Sequence, residues 1–136
     1  MLSKNQSGFT MIEIMIVLGI LGVLMAVLIP VGVNYYRQTF YTTTDLKLKK
    51  LQTAVDMYRL GIGQYPARLE DLIRRPSDPK VSSKWRGPYG GLGKLEDLED
   101  GWGEPFVYKI TPGSTNPYEL YSFGPDGPGS GERISA

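Results

Sequence analysis

Glu13 stands near the start of a long apolar run, and it is the first residue in the chain whose placement demands a chemical explanation. From Ile14 to Tyr36 there are 23 consecutive residues without a charge, most of them Ile, Leu, Val or Met. A carboxylate in such a run is penalised by a few kcal/mol at full membrane depth and less near the interface. It escapes that penalty either by snorkelling to the interface or by meeting a cation supplied from elsewhere. Pro30 is the second anomaly. It removes one helix hydrogen bond and clashes with the carbonyl four residues back, which predicts a kink or a local loosening. Further on, Glu96-Asp97-Leu98-Glu99-Asp100 reads as a solvated loop or helix start, with metal ligation or partner docking as the sharper alternative. Gly124-Pro125-Asp126-Gly127 taken alone reads as a turn.

Several chemistries are excluded by what is missing. The 136 residues contain no cysteine and no histidine, and the formal net charge is +1. There is therefore no disulfide framework, no thiolate metal site and no cysteine nucleophile. The commonest general base is absent too. What remains for catalysis is carboxylate, Lys, Ser and Tyr, and none stands in a recognisable catalytic motif, so the chain reads as a non-enzyme. Near-neutral charge also removes the electrostatic case for nucleic acid as a partner.

These residues need elements to position them. A helix of about 20 apolar residues crosses a bilayer core at ~1.5 Å per residue, and the roughly 100 residues that follow could hardly wrap a rod apolar on all faces. A membrane-inserted helix is the expectation. Before it lies a polar leader, Met1 to Gly8, with Lys4 as its only charge. No small-residue cleavage signal follows Val33, as a secretory signal would require; the candidate processing point is ahead of the run, at Gly8–Phe9. Leu48, Leu51, Val55, Tyr58 and Ile62 then recur at helical spacing, while Lys47, Lys49 and Lys50 fall off that stripe and read as a solvated face. One long helix from about Phe9 to Leu60 is expected, stopped by Gly61, Gly63 and Tyr65-Pro66.

The remainder is loop-rich. A short helix is expected within Ala67 to Arg75, a loop over Arg74 to Pro79, and no regular element over Trp85 to Leu92, where Arg86 could stack on Trp85 or bind acidic groups. Phe106–Ile110 and Tyr118–Phe123 read as an antiparallel strand pair, with a last short strand at Arg133-Ile134-Ser135. From Gly61 onward there are 13 glycines and 9 prolines in 76 residues, a composition near that of disorder. Eight of the fifteen aromatics lie from Trp85 onward, however, and this favours a compact, aromatic-anchored fold. With so little sheet, an added staple such as a metal would help to order the loops.

Ser7-Gly8-Phe9-Thr10-Met11-Ile12-Glu13-Ile14 resembles the class III signal of type IV pilins and pseudopilins. The resemblance implies that a prepilin peptidase cuts between Gly8 and Phe9 and methylates the Phe9 amine, leaving Glu13 fifth in the mature chain and Pro30 at the family's proline. The chemistry of that arrangement is plain. Cleavage exposes a cation on Phe9, and in a helical stack one chain's amine can approach the next chain's Glu13, rewarding only subunits in register. Further blocks, Gly63-Gln64-Tyr65-Pro66, Trp85 to Tyr89, Gly101 to Tyr108 and Phe123 to Gly127, resemble the major pseudopilins of type II secretion systems. Gly101 departs from the pattern, since that family usually has proline between the aspartate and the tryptophan.

The resemblance implies an α+β, pilin-like fold: a long helix, apolar in its first half, on a small antiparallel sheet with long loops. Residues 1–8 would be leader, 9–36 the transmembrane and filament-core helix, and 37–136 a periplasmic globular domain. It implies a major structural subunit that leaves membrane lipid of the inner membrane to polymerise with itself into a periplasmic pseudopilus driving protein export. Its partners would be the prepilin peptidase, an inner-membrane assembly platform with its ATPase, minor pseudopilins and an outer-membrane secretin channel. The alternative is a type IV pilin or minor pseudopilin for adhesion, motility or DNA uptake, although a disulfide-looped pilin is disfavoured by zero cysteines. The resemblance also implies calcium in the loop from Phe123 to Glu132. Asp126 would supply a carboxylate and Phe123 and Pro128 backbone carbonyls, with Ser130 and Glu132 the nearest equivalents of the remaining donors. Arg133 stands where the family usually has an aspartate, and it opposes a cation there.

Overall fold

A computed structural model describes residues 8–135; residues 1–7 of the expected leader lie outside them. The element order is α1 (Met11–Ile62), α2 (Pro79–Ser82), β1 (Val107–Ile110), β2 (Tyr118–Ser122) and β3 (Ile134–Ser135), with three 3-10 turns at Leu69–Leu72, Tyr89–Gly91 and Leu95–Leu98. The chain divides between Arg37 and Gln38 into two compact units. The arrangement is α+β and pilin-like, one long helix and one small antiparallel sheet.

The first unit is helix with its side chains exposed throughout, from Met11 to Arg37. α1 continues through Pro30 without a break. In the second unit the same helix buries Thr44, Leu48, Leu51, Ala54, Val55, Tyr58 and Ile62, the expected stripe at three- and four-residue spacing. The helix runs two residues past the expected end. Gly61 is still helical, and Gly63 makes the stop at φ 93°, donating its N–H to the Arg59 carbonyl at 2.7 Å. Only glycine adopts that φ without strain.

Leu72, Leu92, Leu98, Phe106 and Leu120 close over the stripe as one core. The sheet runs β1-β2-β3, antiparallel throughout, with Val107 opposite Tyr121 and Ser122 opposite Ile134. Along β2, Leu120 and Ser122 are buried while Glu119 is exposed, which is the two-residue alternation of a one-sided sheet. All three strands fall where they were expected, each within a residue or two at its ends.

The short helix expected within Ala67 to Arg75 is one 3-10 turn, Leu69–Leu72, whose leucines at i and i+3 suffice to reach the core. The Arg74–Pro79 loop leads into α2, one turn that buries Val81. Its signal was present in the sequence: Asp78 caps the Lys80 N–H at 2.9 Å and Pro79 occupies the first helical position.

The loops are ordered by side chains. Trp85 Nε1 donates to the Asp71 carbonyl at 2.8 Å, and Tyr108 Oη donates to the Pro66 carbonyl at 2.9 Å. Edge-to-face ring pairs join Tyr58 to Tyr89 and Trp85 to Tyr89, at 5.4 and 6.0 Å. Among the described residues no buried side-chain polar atom lacks a hydrogen-bond partner.

Candidate functional site

At the N-terminal end, Gly8 and Phe9 precede the helix and are exposed, and a methyl group at Gly8 would meet nothing within 4 Å. Thr10 caps the helix. Its Oγ1 accepts from the Glu13 N–H at 3.3 Å, and its carbonyl accepts from the Ile14 N–H at 3.2 Å. Glu13 is thus the acidic residue of the first turn, exposed, where the helix dipole favours a negative charge. Thr10 is a functional position that the motif reading passed over, although Thr-x-x-Glu before an apolar run is a capping signature. The Gly8–Phe9 bond therefore stands one residue ahead of the cap. α1 is long and apolar enough to cross a membrane, and its most apolar stretch is wholly exposed.

At the other end, the Phe123–Glu132 loop holds the expected oxygen donors. Gly124, Gly127, Gly129 and Gly131 all have positive φ, which lets so short a loop reverse repeatedly. Asp126 is exposed. Ser130 Oγ donates to the Gly127 carbonyl at 3.2 Å and accepts from the Glu132 N–H at 3.3 Å. Glu132 accepts from Tyr41 Oη of α1 at 3.2 Å, and a Cβ on Gly124 would lie 3.7 Å from its second oxygen. Arg133 holds its guanidinium over the Tyr121 ring, 4.7 Å from the centroid. The donors are all hard oxygens of the kind calcium takes, and each retains an accepting lone pair. The loop contributes two carboxylates, Asp126 and Glu132; among the described residues no group of three or more Asp or Glu gathers anywhere.

Within the second unit runs a polar chain. Asp100, expected as part of a solvated run, is buried. Its Oδ1 accepts from the N–H groups of Trp102 and Glu104 at 2.9 and 3.0 Å, and its Oδ2 accepts from Ser122 Oγ. Ser122 Oγ accepts in turn from the Gly124 N–H at 3.0 Å, so Asp100 is tied to the start of the C-terminal loop. Beside it, the Gly101 N–H donates to Thr44 Oγ1 at 2.9 Å, and Thr44 Oγ1 donates to the Phe40 carbonyl at 2.8 Å. A Cβ at position 101 would sit 2.5 Å from the Phe40 oxygen. Gly101 therefore has a physical reason: proline there would lack the N–H and collide with α1.

The solvated reading of Lys47 is corrected too, while Asp97 takes its place in a helix start, as expected. Lys47 Nζ donates to the carbonyls of Glu99 and Glu96 at 2.8 and 3.1 Å, closing the end of the 95–98 turn against α1. Asp97 accepts from the Gly93 and Lys94 N–H groups, and those bonds hold its carboxyl below the usual range. The cation stacked near Trp85 is Arg75, at 5.8 Å, and Arg86 is exposed. Burial, with a smaller push from the Asp71 charge, raises the Tyr58 phenol to about 12.

A capped apolar helix bearing one carboxylate in its first turn, turning amphipathic and seated on a small three-stranded sheet, defines a pilin-like subunit built on a membrane-anchoring helix. Residues 33–136 match the family described as type II secretion system (T2SS), protein G, and residues 3–29 match the prokaryotic N-terminal methylation motif. The chain belongs to the type II secretion system protein G family. It is 39% identical over 127 residues to type II secretion system core protein G of Pseudomonas aeruginosa, covering 91% of this chain and 87% of the relative. The Escherichia coli K12 protein of the same name is 33% identical over 129 residues, covering 92% and 86%. That of Vibrio cholerae is 29% identical over 136 residues, covering 98% and 90%.

Proposed function

We propose that this chain is the major structural subunit of a type II secretion pseudopilus. The observation that carries the reading is the surface of Ile14–Tyr36, uncharged, largely apolar and exposed on every face in a member of the protein G family. Such a surface belongs in lipid before assembly and in a filament core afterwards, and the transfer between them costs little hydrophobic energy. Prepilin peptidase would cut between Gly8 and Phe9 and methylate the new amine; the exposed junction ahead of the Thr10 cap supports its access. Glu13 would then receive the Phe9 amine of a neighbouring copy, and Pro30, lacking one helix N–H, would let α1 loosen locally during assembly.

The globular unit would face the periplasm from the inner membrane. The working partners would be further copies of the chain, minor pseudopilins, the assembly platform with its ATPase, and the secretin channel. The test is expression of the full chain with a prepilin peptidase and a type II assembly platform. Processed protein and sheared surface filaments are expected from the wild type and not from Glu13→Ala. Uncut precursor in both would overturn processing at Gly8.

Calcium in the 123–132 loop is part of the proposal. Asp126 and Glu132 would hold it with the Phe123 and Pro128 carbonyls and Ser130 Oγ; bound there, the ion would supply an electrostatic staple for a loop without regular structure. Arg133, stacked on Tyr121, keeps its charge and is the feature that opposes the ion. Calorimetric titration of the full chain in detergent should show heat that Asp126→Ala abolishes. Heat unaffected by that substitution sinks the ligand assignment.

A further inference from the structure

The globular unit is close to neutral, yet its charges are sorted along the chain. Residues 59–86 hold seven basic and three acidic side chains; residues 94–132 hold eight acidic and two basic ones. The two stretches are anchored at different heights on α1. Within the acidic stretch, residues 96–104 are fixed at Thr44 and Lys47, through the Gly101 N–H and the carbonyls of Glu96 and Glu99. The basic stretch is fixed further along: Tyr89 stacks on Tyr58, and a Cβ on Gly90 would meet Ala54 at 2.7 Å. Arg86 is tied into that end by its N–H, which donates to Tyr89 Oη at 3.0 Å. Lys47 and Tyr58 are eleven residues apart, about 16 Å along the axis at ~1.5 Å per residue.

Most cations at the far end make no ion pair within the described residues. Among the described residues the ion pairs are Lys49–Asp45 and Arg68–Asp71, and neither involves Arg74, Lys80, Lys84 or Arg86, all exposed. At the near end Glu96 and Glu104 are exposed and Glu99 half-buried, again without an ion pair inside the chain.

We propose that these two surfaces are the two halves of a head-to-tail interface between copies of this chain: the basic surface around Arg74, Lys84 and Arg86 docks on the acidic surface around Glu96, Glu99 and Glu104 of the next copy. The inference rests on the assembly reading above and adds to it a contact in the globular unit. A self-complementary dipole suits a heterologous contact, which propagates without closing and so builds a filament. It also selects register, since sliding one copy along another sets like charges together, and such juxtapositions cost several kcal/mol.

The test uses the full chain in cells that hold a prepilin peptidase and assembly platform. A basic-reversed variant (Arg74→Glu, Lys84→Glu, Arg86→Glu) and an acid-reversed variant (Glu96→Lys, Glu99→Lys, Glu104→Lys) should each lower sheared filament yield by about tenfold or more. All six changes in one chain should restore most of it. Equal levels of processed, protease-resistant subunit serve as the folding control. Because the chain has no native cysteine, Arg86→Cys with Glu99→Cys offers a clean second readout. Under oxidation that pair should give a ladder of multimers in isolated membranes, and neither single variant should exceed a dimer. A wild type that makes no filaments defeats the assembly reading, while the ladder still reports the contact. Reversed variants that assemble like wild type, a six-fold variant that stays low, or the absence of a ladder overturns the proposal.

Discussion

The two halves of α1 are one helix with opposite relations to their surroundings. Leu48 and Leu51 are 0% exposed, whereas Leu18 is 62% exposed and Leu28 61%. In the second half the partner of each apolar side chain is encoded in the same chain: Leu72, Leu92 and Phe106 arrive from the loops to cover the stripe. In the first half the side chains from Met11 to Val33 stay exposed, although they are as apolar. The difference teaches that hydrophobicity alone does not mark a core. The second half is written to finish folding, and the first is written to be finished by lipid or by other copies.

The sharpest way to break this comparison is to substitute in each half and read both assembly and stability. Glu13→Ala should abolish sheared filaments, a loss of roughly tenfold or more because an uncompensated Phe9 cation is left in apolar surroundings. It should leave the unfolding transition of the globular unit in place. Leu51→Ala should do the reverse, lowering that unit's stability by about 2–5 kcal/mol, as truncation of a fully buried leucine does. Leu18→Ala, the same truncation on the exposed half, should not shift it. Denaturant titration of the full chain in detergent checks all three. A Leu18→Ala loss as large as that of Leu51→Ala would mean that the first half already has a packed partner.

A finer probe is Gly101, where a loop meets the second half at backbone distance. Gly101→Ala keeps the N–H but sets a methyl group against the Phe40 oxygen, so α1 and the 99–104 loop must separate. The expected cost is about 1–3 kcal/mol, the range for overpacking, read again by denaturant titration. Gly63→Ala should cost about 1 kcal/mol by left-handed strain alone, because a Cβ there meets nothing. Gly101 is not left-handed, so an unchanged stability in Gly101→Ala would mean that the contact with Phe40 yields without cost.

What was legible in the sequence follows from the same division. Periodicity exposed the helix, its apolar half and the Leu48-to-Ile62 stripe, because those signals are local and repeat. The strands were legible from their aromatic and β-branched runs, and α+β followed. The sequence motifs also led to the protein G family, since the Gly-Phe-Glu spacing and the ordered aromatic blocks are specific. The misread residues were those whose roles depend on pairings distant in sequence. Asp100 looked solvated because its partner Ser122 is 22 residues away, and Lys47 looked solvated because it reaches carbonyls 49 and 52 residues on. A charged side chain gives no local sign that it will end on a backbone carbonyl. Gly101 was visible as a departure, and only the approach of α1 supplies its reason.

The smallest expected effect concerns the tyrosines that close the second half. Tyr108 Oη donates to the Pro66 carbonyl, and burial, with smaller contributions from Tyr118 and Tyr65, raises its phenol well above its ordinary value. Burial raises Tyr118 as well, and Tyr58 reaches about 12. A phenol whose folded pKa is raised favours the folded state as long as it is protonated. The contribution is complete below the unfolded value of about 10 and is lost as pH rises through the folded one. Stability of the globular unit should therefore be flat across neutral pH on account of these groups and should fall above about pH 10. Tyr108→Phe should cost about 0.5–1.5 kcal/mol at neutral pH for the lost hydrogen bond. Its alkaline decline should be shallower than that of wild type, because one proton fewer is released on unfolding. Unfolding of both proteins at neutral pH and near pH 10.5 decides the point. Parallel declines would show that Tyr108 does not titrate on unfolding, and the alkaline weakness would then rest on Tyr58 and Tyr118.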